Sequence, residues 1–469
     1  FATASHGLYV YDGFTISPLT LDISSFLKKN QVFCGAMHGN MLAFGTVRGG
    51  LVVKNIKTGQ NLYANVFTGL QNNTVLSLFF DDQNNIWLGL DQGISYVLTD
   101  APFKEIFGHN NQTGTGYASL IFKDRFYIGT NQGLFSTAYP MQDIPIPEQP
   151  KLVPNMTGQV WSIRNVSETV LCGNNEGAYQ IEGTNARKIS GTEGTWDFKI
   201  LQQHPGYVLS CDYQGLYILK KVGDKWIFRN RIAGFNETSA VFEESSDGSI
   251  WISHWQKGVY HLWLTNDLTR VKKMTFYNEK EGLPTSENNI ISKINGKVYI
   301  SSVDGFYSAN SETGKLHKAK KLNSIFQSLT NPMKLFETPM HDIWAVNANC
   351  LAIAKQNSMG KYKTDAFTYC SIAKRLQKNL GHISFVDKKH TIFNVENGFI
   401  SINNDYKGRK NNAQILIRQI IGTNSGDTIL YVGQSSTAPE NIQLTHNQNS
   451  IKIEYVWPEY SSENAILFS

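Results

Sequence analysis

At 469 residues the chain is too long for one ordinary core, so two or three domains are expected. Charged residues make up 17% and aromatics 12%, with 39 glycines, which excludes a disordered or coiled-coil chain and suits a turn-rich β protein. The net charge of +5 is mild and the basic residues are scattered; the short cluster Lys318-Ala319-Lys320-Lys321 reads as a solvated face, so no nucleic-acid partner is expected.

The chain opens on Phe1 inside a repeat and stops at Phe468-Ser469, which reads as a piece of something longer. No stretch approaches the roughly 18 apolar residues needed to cross a bilayer. In chain order, the first clear element is the copy Asn73 to Val97: a strand, the polar turn Asp81 to Asn85, a strand around Trp87, a turn closing on Gly93, and a third strand. The frame returns at Phe126 to Phe135, at Val170 to Tyr179, at Ser239 to Leu262 and at Val298 to Tyr307. A degenerate copy lies at Ile343 to Asn349, where Asn349 is expected to replace the glycine because Asn tolerates left-handed backbone.

The glycine after the second turn recurs at Gly7, Gly50, Gly93, Gly133, Gly177, Gly215, Gly258, Gly305 and Gly398. Its first seven spacings are 43, 43, 40, 44, 38, 43 and 47 residues. A period of this length built from short strands matches one four-stranded blade of a β-propeller. A blade is apolar on both faces and cannot bury them alone, whereas radial stacking can. Trp87, Tyr127, Trp251, Tyr299 and Trp344 are then wedges between blades and not a ligand platform.

Ten copies exceed the usual four to eight blades of a ring. The expected architecture is therefore all-β with tandem propellers. Residues 1–103 would be the last blades of a first ring, and residues 104–410 a seven-bladed ring. Residues 411–469 would begin an Ig-like β-sandwich, with the alternating run Ile451 to Trp457 as a half-buried strand. Five cysteines (Cys34, Cys172, Cys211, Cys350, Cys370) show no metal spacing and read as buried thiols, with one disulfide left open. Neither a metal nor a cofactor is expected.

These repeats resemble the regulator-propeller family, the extracytoplasmic sensor regions of bacterial hybrid two-component and one-component transmembrane regulators. The stretches that carry the resemblance are Asp81 to Val97, Ser245 to Tyr260, and Gly282-Leu283-Pro284 leading to Asn288-Asn289-Ile290. The tail, through Asn449-Ser450-Ile451 to Tyr455, resembles the start of the triple-tyrosine Ig-like domain of that family. The resemblance implies a periplasmic sensor of an oligosaccharide or another small ligand, a homodimer through the Ig-like region, and membrane attachment only through a helix outside these residues. Kinase and DNA-binding segments are not among these residues, so signalling output is implied by the family alone.

Propeller ligands usually sit at one mouth of the central channel. In the expected blade order that face receives the loops between second and third strands, offering Asn131, Asn175, Asp212, Tyr213, His254, Trp255 and Asp304. Segments entering the first strands bring Trp161 and Trp196. Aromatic rings would stack on sugar faces, while amides and carboxylates would pair with hydroxyls. Trp255 with His254 is the preferred pair, because a Trp in a loop has no wedge to fill; Trp161 fits packing against the next blade equally well. A propeller glycosidase or lyase would need paired carboxylates or a His/Tyr base, for which Asp197, Asp212 and Asp304 are the acids within reach. No G-x-S-x-G, H-E-x-x-H or phosphate loop is present, and no catalytic residue is assigned. A protein-binding scaffold would instead show a large exposed apolar patch.

Overall fold

The structure is a computed structural model. It describes residues 1–106, 113–139, 150–310, 313–327, 329, 333–347, 349–377, 382–406, 415–423, 426–433, 443–444, 446 and 450–456. The side chains of Cys370 and Ser371 are also outside the description, as are Asn424, Ser425, Asn449 and Trp457 of the expected tail elements. The chain divides into two units, Phe1–Tyr406 and Lys407–Ser469. Among the described residues no helix is long and apolar enough to cross a membrane.

Strands dominate the first unit. Three sheets come first: a three-stranded one ending at Leu19, a four-stranded one over Val32–Ala64, and a three-stranded one over Val75–Val97. Apolar residues such as Val53, Val75 and Leu88 pack between the second and third sheets. Six four-stranded antiparallel sheets follow, each an up-and-down meander in sequence order. A seventh is assembled differently. Its strands Ile383–Phe385, His390–Val395 and Gly398–Asn403 are joined by Phe103–Ile106, which pairs antiparallel to residues 399–402.

The seven sheets form a closed ring. First strands of most successive sheets lie side by side, and that of the first sheet, Gly116–Phe122, meets the seventh. Ser119 and Ser384 hydrogen bond across that junction at 2.9 Å, and Phe126 and Ile128 pack on Ile392 and Phe399. Closure thus falls to a strand that precedes the ring in sequence. The segment 98–102 leads directly into this strand.

The wedge aromatics behave according to their surroundings. Tyr127, Trp251 and Trp344 are buried between neighbouring sheets, Trp344 among Tyr369, Phe393 and Ile400. Trp87 and Tyr299 are only half-buried. Eight of the nine marker glycines have positive φ, Gly133 being the exception. At Gly258 (φ 128°) an added Cβ would lie 2.2 Å from the Tyr277 carbonyl oxygen, so the turn demands glycine twice over. Asn349 does not take the left-handed conformation expected of it. Asn347 shapes that turn instead, its Oδ1 accepting from the N–H groups of Asn349 (2.9 Å) and Cys350 (2.8 Å).

Cys172 and Cys211 are buried free thiols, Cys34 is half-buried and free, and Cys350 is half-buried. In the second unit a three-stranded antiparallel sheet is described, with Leu416–Gly422 between Thr428–Val432 and Ile451–Val456.

Candidate functional site

Seven short first strands surround the ring axis, and six of them, all but Gly116–Phe122, line a cavity of about 1260 Å³. Its lining runs from the segments that enter the first strands (Trp196, Thr238, Asn288) to the hairpin turns at their far ends (Gly296, His341). A strand at this position alternates between packing outward and facing the axis. Five successive first strands place a charge on the axial side: Arg164, Lys199, Glu243, Lys293 and Lys334, with Asp197 and His382 beside them.

These charges form a network. The Arg164 guanidinium donates twice to Asp197, at 2.7 and 2.8 Å, and once to Nδ1 of His382 at 2.9 Å. Lys199 Nζ lies 2.8 Å from Glu243 and 3.7 Å from Asp197. Burial pushes the Asp197 carboxyl up, but Arg164 and Lys199 outweigh it and hold the group well below the usual carboxylate range. Glu243, half-buried, is pushed up by its partial burial yet held low by Lys199 and Lys334. Burial and the Arg164 charge lower His382 to about 3, so the imidazole is neutral at neutral pH. Its Nδ1 accepts from Arg164, which leaves the proton on Nε2. Burial lowers Lys334 to about 8, with Glu243 acting in the opposite direction.

The Asp197 and Glu243 carboxylates are ionised and paired, so neither is a proton donor near neutral pH. The His382 imidazole has its Nδ1 lone pair engaged by Arg164. Asn289, which lines the cavity, keeps a buried Oδ1 without a partner, an acceptor suited to a hydroxyl. Among the described residues no group of three His, Cys, Asp or Glu side chains is arranged to hold a metal.

Of the nine loop candidates, Trp196 and Trp255 line the cavity. Trp255 is 65% exposed, and its carbonyl accepts from the Asn288 N–H (2.8 Å) of the next blade. Trp196 stacks on Trp161 with ring centroids 3.9 Å apart, and Tyr213 meets both rings edge-on at 5.8 Å. Trp161 is buried, so its ring serves as a base for Trp196. Gly194 makes room for Tyr213, because a Cβ there would lie 2.2 Å from the tyrosine ring.

The remaining candidates have structural partners. Asp212 is fully buried and bidentate to Arg231 at 2.8 Å, facing that side chain and not the channel. His254 is buried and accepts from the Gln256 and Lys257 N–H groups through Nδ1, each at 3.2 Å. The exposed amides of Asn131 and Asn175 accept from the N–H groups of Thr115 and Gln159. Asp304 pairs with Lys318 at 3.0 Å and accepts from the Tyr307 hydroxyl. Sequence reasoning placed Asp197 at the channel but missed Arg164, Lys199, Glu243, Lys293, Lys334 and His382. A signal was present: a charged residue inside the first strand of consecutive repeats in a charge-poor chain.

Residues 69–92 match the sequence profile described as two component regulator propeller. The chain carries a regulator-propeller repeat. No curated protein matches it by sequence. Among solved structures, the extracellular domain of the hybrid two component system BT3049 from B. thetaiotaomicron is similar over 97% of this chain and 61% of that one, at 16% identity and a TM-score of 0.60. The chain therefore spans less than two thirds of that domain. The extracellular domain of the one component system BT4673 from the same organism aligns over 91% of this chain and 59% of that one, at 16% identity and a TM-score of 0.48. Virginiamycin B lyase from Staphylococcus aureus aligns over 63% of this chain and 96% of that one, at 13% identity and a TM-score of 0.43. The likeness to BT3049 is one of fold, and the other two are weaker still.

The matched regulator-propeller repeat has a visible local logic. Asn65 caps a single 3-10 turn, accepting from Phe67 N–H at 2.8 Å, and Gly69 ends it at φ 109°. Leu70 is then buried ahead of the first strand. The same device recurs at Asn278, Gly282 (φ 96°) and buried Leu283, ahead of Ile290–Ile294. It sets the direction in which the chain enters a first strand, and so the rim of the channel.

Proposed function

We propose that this chain is the ligand-sensing propeller region of an extracytoplasmic, periplasmic sensor in a bacterial transmembrane signalling regulator. The ligand is an oligosaccharide bound in the ring's channel. One observation carries the reading: an axial cavity of about 1260 Å³ that combines aromatic rings at one mouth with fixed charges and an unpartnered amide oxygen inside. Such a cavity is large enough for several sugar residues and has the few convergent polar groups that fix orientation. The regulator-propeller repeat and the BT3049 fold support the sensory context. Ionised, paired carboxylates favour binding over hydrolysis or elimination. Transmission would run through the tail as an Ig-like segment and through pairing of two chains, since a ligand shifts an equilibrium only by its unequal affinity for two states.

A thermal-shift screen against polysaccharide-derived oligosaccharides tests this, with chromatography of the same mixtures for products. The expected result is a saturable rise with one sugar class, lost in Trp255→Ala, and no product. A rise that survives Trp255→Ala and Trp196→Ala would move the site away from the channel. Product formation would make the chain an enzyme.

A further inference from the structure

The channel's charges do not balance, and the excess has a location. Arg164 and Lys199 are matched by Asp197 and Glu243. The carboxylate of Glu337, at the far end, is taken by His341 and by the Asn295 N–H, each at 2.6 Å. Two cations remain. Lys334 Nζ donates to the Ile291 carbonyl at 2.7 Å, which leaves two of its protons. Among the described residues no carboxylate lies within 4.0 Å of it, and Lys293 has no side-chain partner at all. Both line the cavity, from the first strands Ile290–Ile294 and Lys334–Glu337, which pack side by side.

We infer that the channel ligand carries an anionic substituent, a carboxylate or sulfate ester on a sugar, received by the ammonium groups of Lys334 and Lys293. The inference rests on the channel being the ligand site. An ammonium withdrawn from bulk water with no carboxylate in contact is costly, and an anion delivered to it recovers part of the lost hydration. The position of Lys334 agrees: burial lowers it to about 8, and the charges of Lys199 and Arg164 press in the same direction. A bound anion reverses that shift, so binding takes up a proton above pH 8. His382 adds a neutral donor, because its Nε2–H makes no hydrogen bond among the described residues. Ammonium groups are point charges that do not select planar carboxylate over tetrahedral sulfate, so both ester and uronate belong to the same class.

The test is calorimetric titration of the full chain with three oligosaccharides of equal length: neutral, uronate-bearing and sulfated. At least one acidic sugar is expected to bind about tenfold or more tighter than the neutral one, with affinity falling in salt and as pH rises through 8. Lys334→Met is expected to remove that preference, by about thirtyfold if the ammonium is buried against the anion, bringing acidic and neutral sugars to similar affinity. Lys293→Met, at a half-exposed position, gives the same direction if Lys334→Met fails to fold. Equal affinity for neutral and acidic sugars, or a preference untouched by both variants, overturns the anionic class and leaves the channel reading standing. Absence of any Trp255-dependent binding by all three sugars overturns both. The uronate and sulfate arms decide between the two sources of charge.

Discussion

At the scale of single residues, the loop side chains separate into those with work inside the fold and those without. Asp212 is fully buried against Arg231, and its Oδ1 also accepts from the Gln214 N–H at 2.8 Å. Asp212→Ala strands the guanidinium and a turn amide, and is expected to cost about 3 kcal/mol in urea unfolding. Trp255, 65% exposed, is expected to change stability by less than about 0.5 kcal/mol on truncation while abolishing ligand response. The reverse pattern would show that the two roles were assigned the wrong way round.

His382 sets a pH dependence. Its folded value of about 3 lies below the free value of 6.5, so between them the unfolded chain binds a proton that the folded chain refuses. Its contribution is therefore fully present above pH 6.5 and falls as pH drops towards 3, by up to about 1.4 kcal/mol per unit, less where channel water screens it. Asp197, also held below its free value, keeps its contribution down to about pH 4 and loses it only below that. Thermal melts from pH 7 to 4 are expected to slope downward in the wild type and less steeply in His382→Gln, the buried His261, lowered to about 4, and His254 keeping part of the slope. Parallel slopes would contradict the pairing with Arg164.

At the scale of elements, the closing strand is the instructive case. Phe103–Ile106 pairs with residues 399–402, and Glu105 is fastened to Arg375 at 2.7 Å. Chains beginning at residue 100 and at residue 113 are expected to differ in melting temperature by about 5 °C or more, the shorter one lower, by calorimetry. Equal melts would mean that the ring does not depend on this strand. The repeats were legible in the sequence because each copies a local pattern: an aromatic second strand and a glycine that its turn cannot replace. Four residues reading Phe-Lys-Glu-Ile carry no such pattern, and their partner lies some 300 residues away. Asn349 was misread for a related reason, since the turn it occupies is shaped by the side chain of Asn347 and not by backbone handedness.

At the scale of the whole molecule, what closure creates is the channel, and closure is where local reading ends. Trp196 and Trp255 could be named from sequence as loop aromatics with no wedge to fill. Arg164, Lys199, Glu243 and Lys334 were harder to name, because each alone looks like a residue facing solvent and only their recurrence in consecutive first strands marks them. Only the curvature of seven sheets turns those solvent-facing positions towards one another, where their charges interact at 2.7 to 3.7 Å. The channel thus joins an aromatic mouth to a charged interior, an arrangement suited to holding a sugar by its ring faces outside and its polar groups within.

The measurement that tests this most directly is a crystal structure of the chain with whichever oligosaccharide raises its melting temperature. Sugar in the channel, with a ring against Trp196 or Trp255 and a polar group near Lys334, is the expected result. Sugar bound on an outer blade edge or on the tail sheet, with the channel holding water alone, would contradict the account.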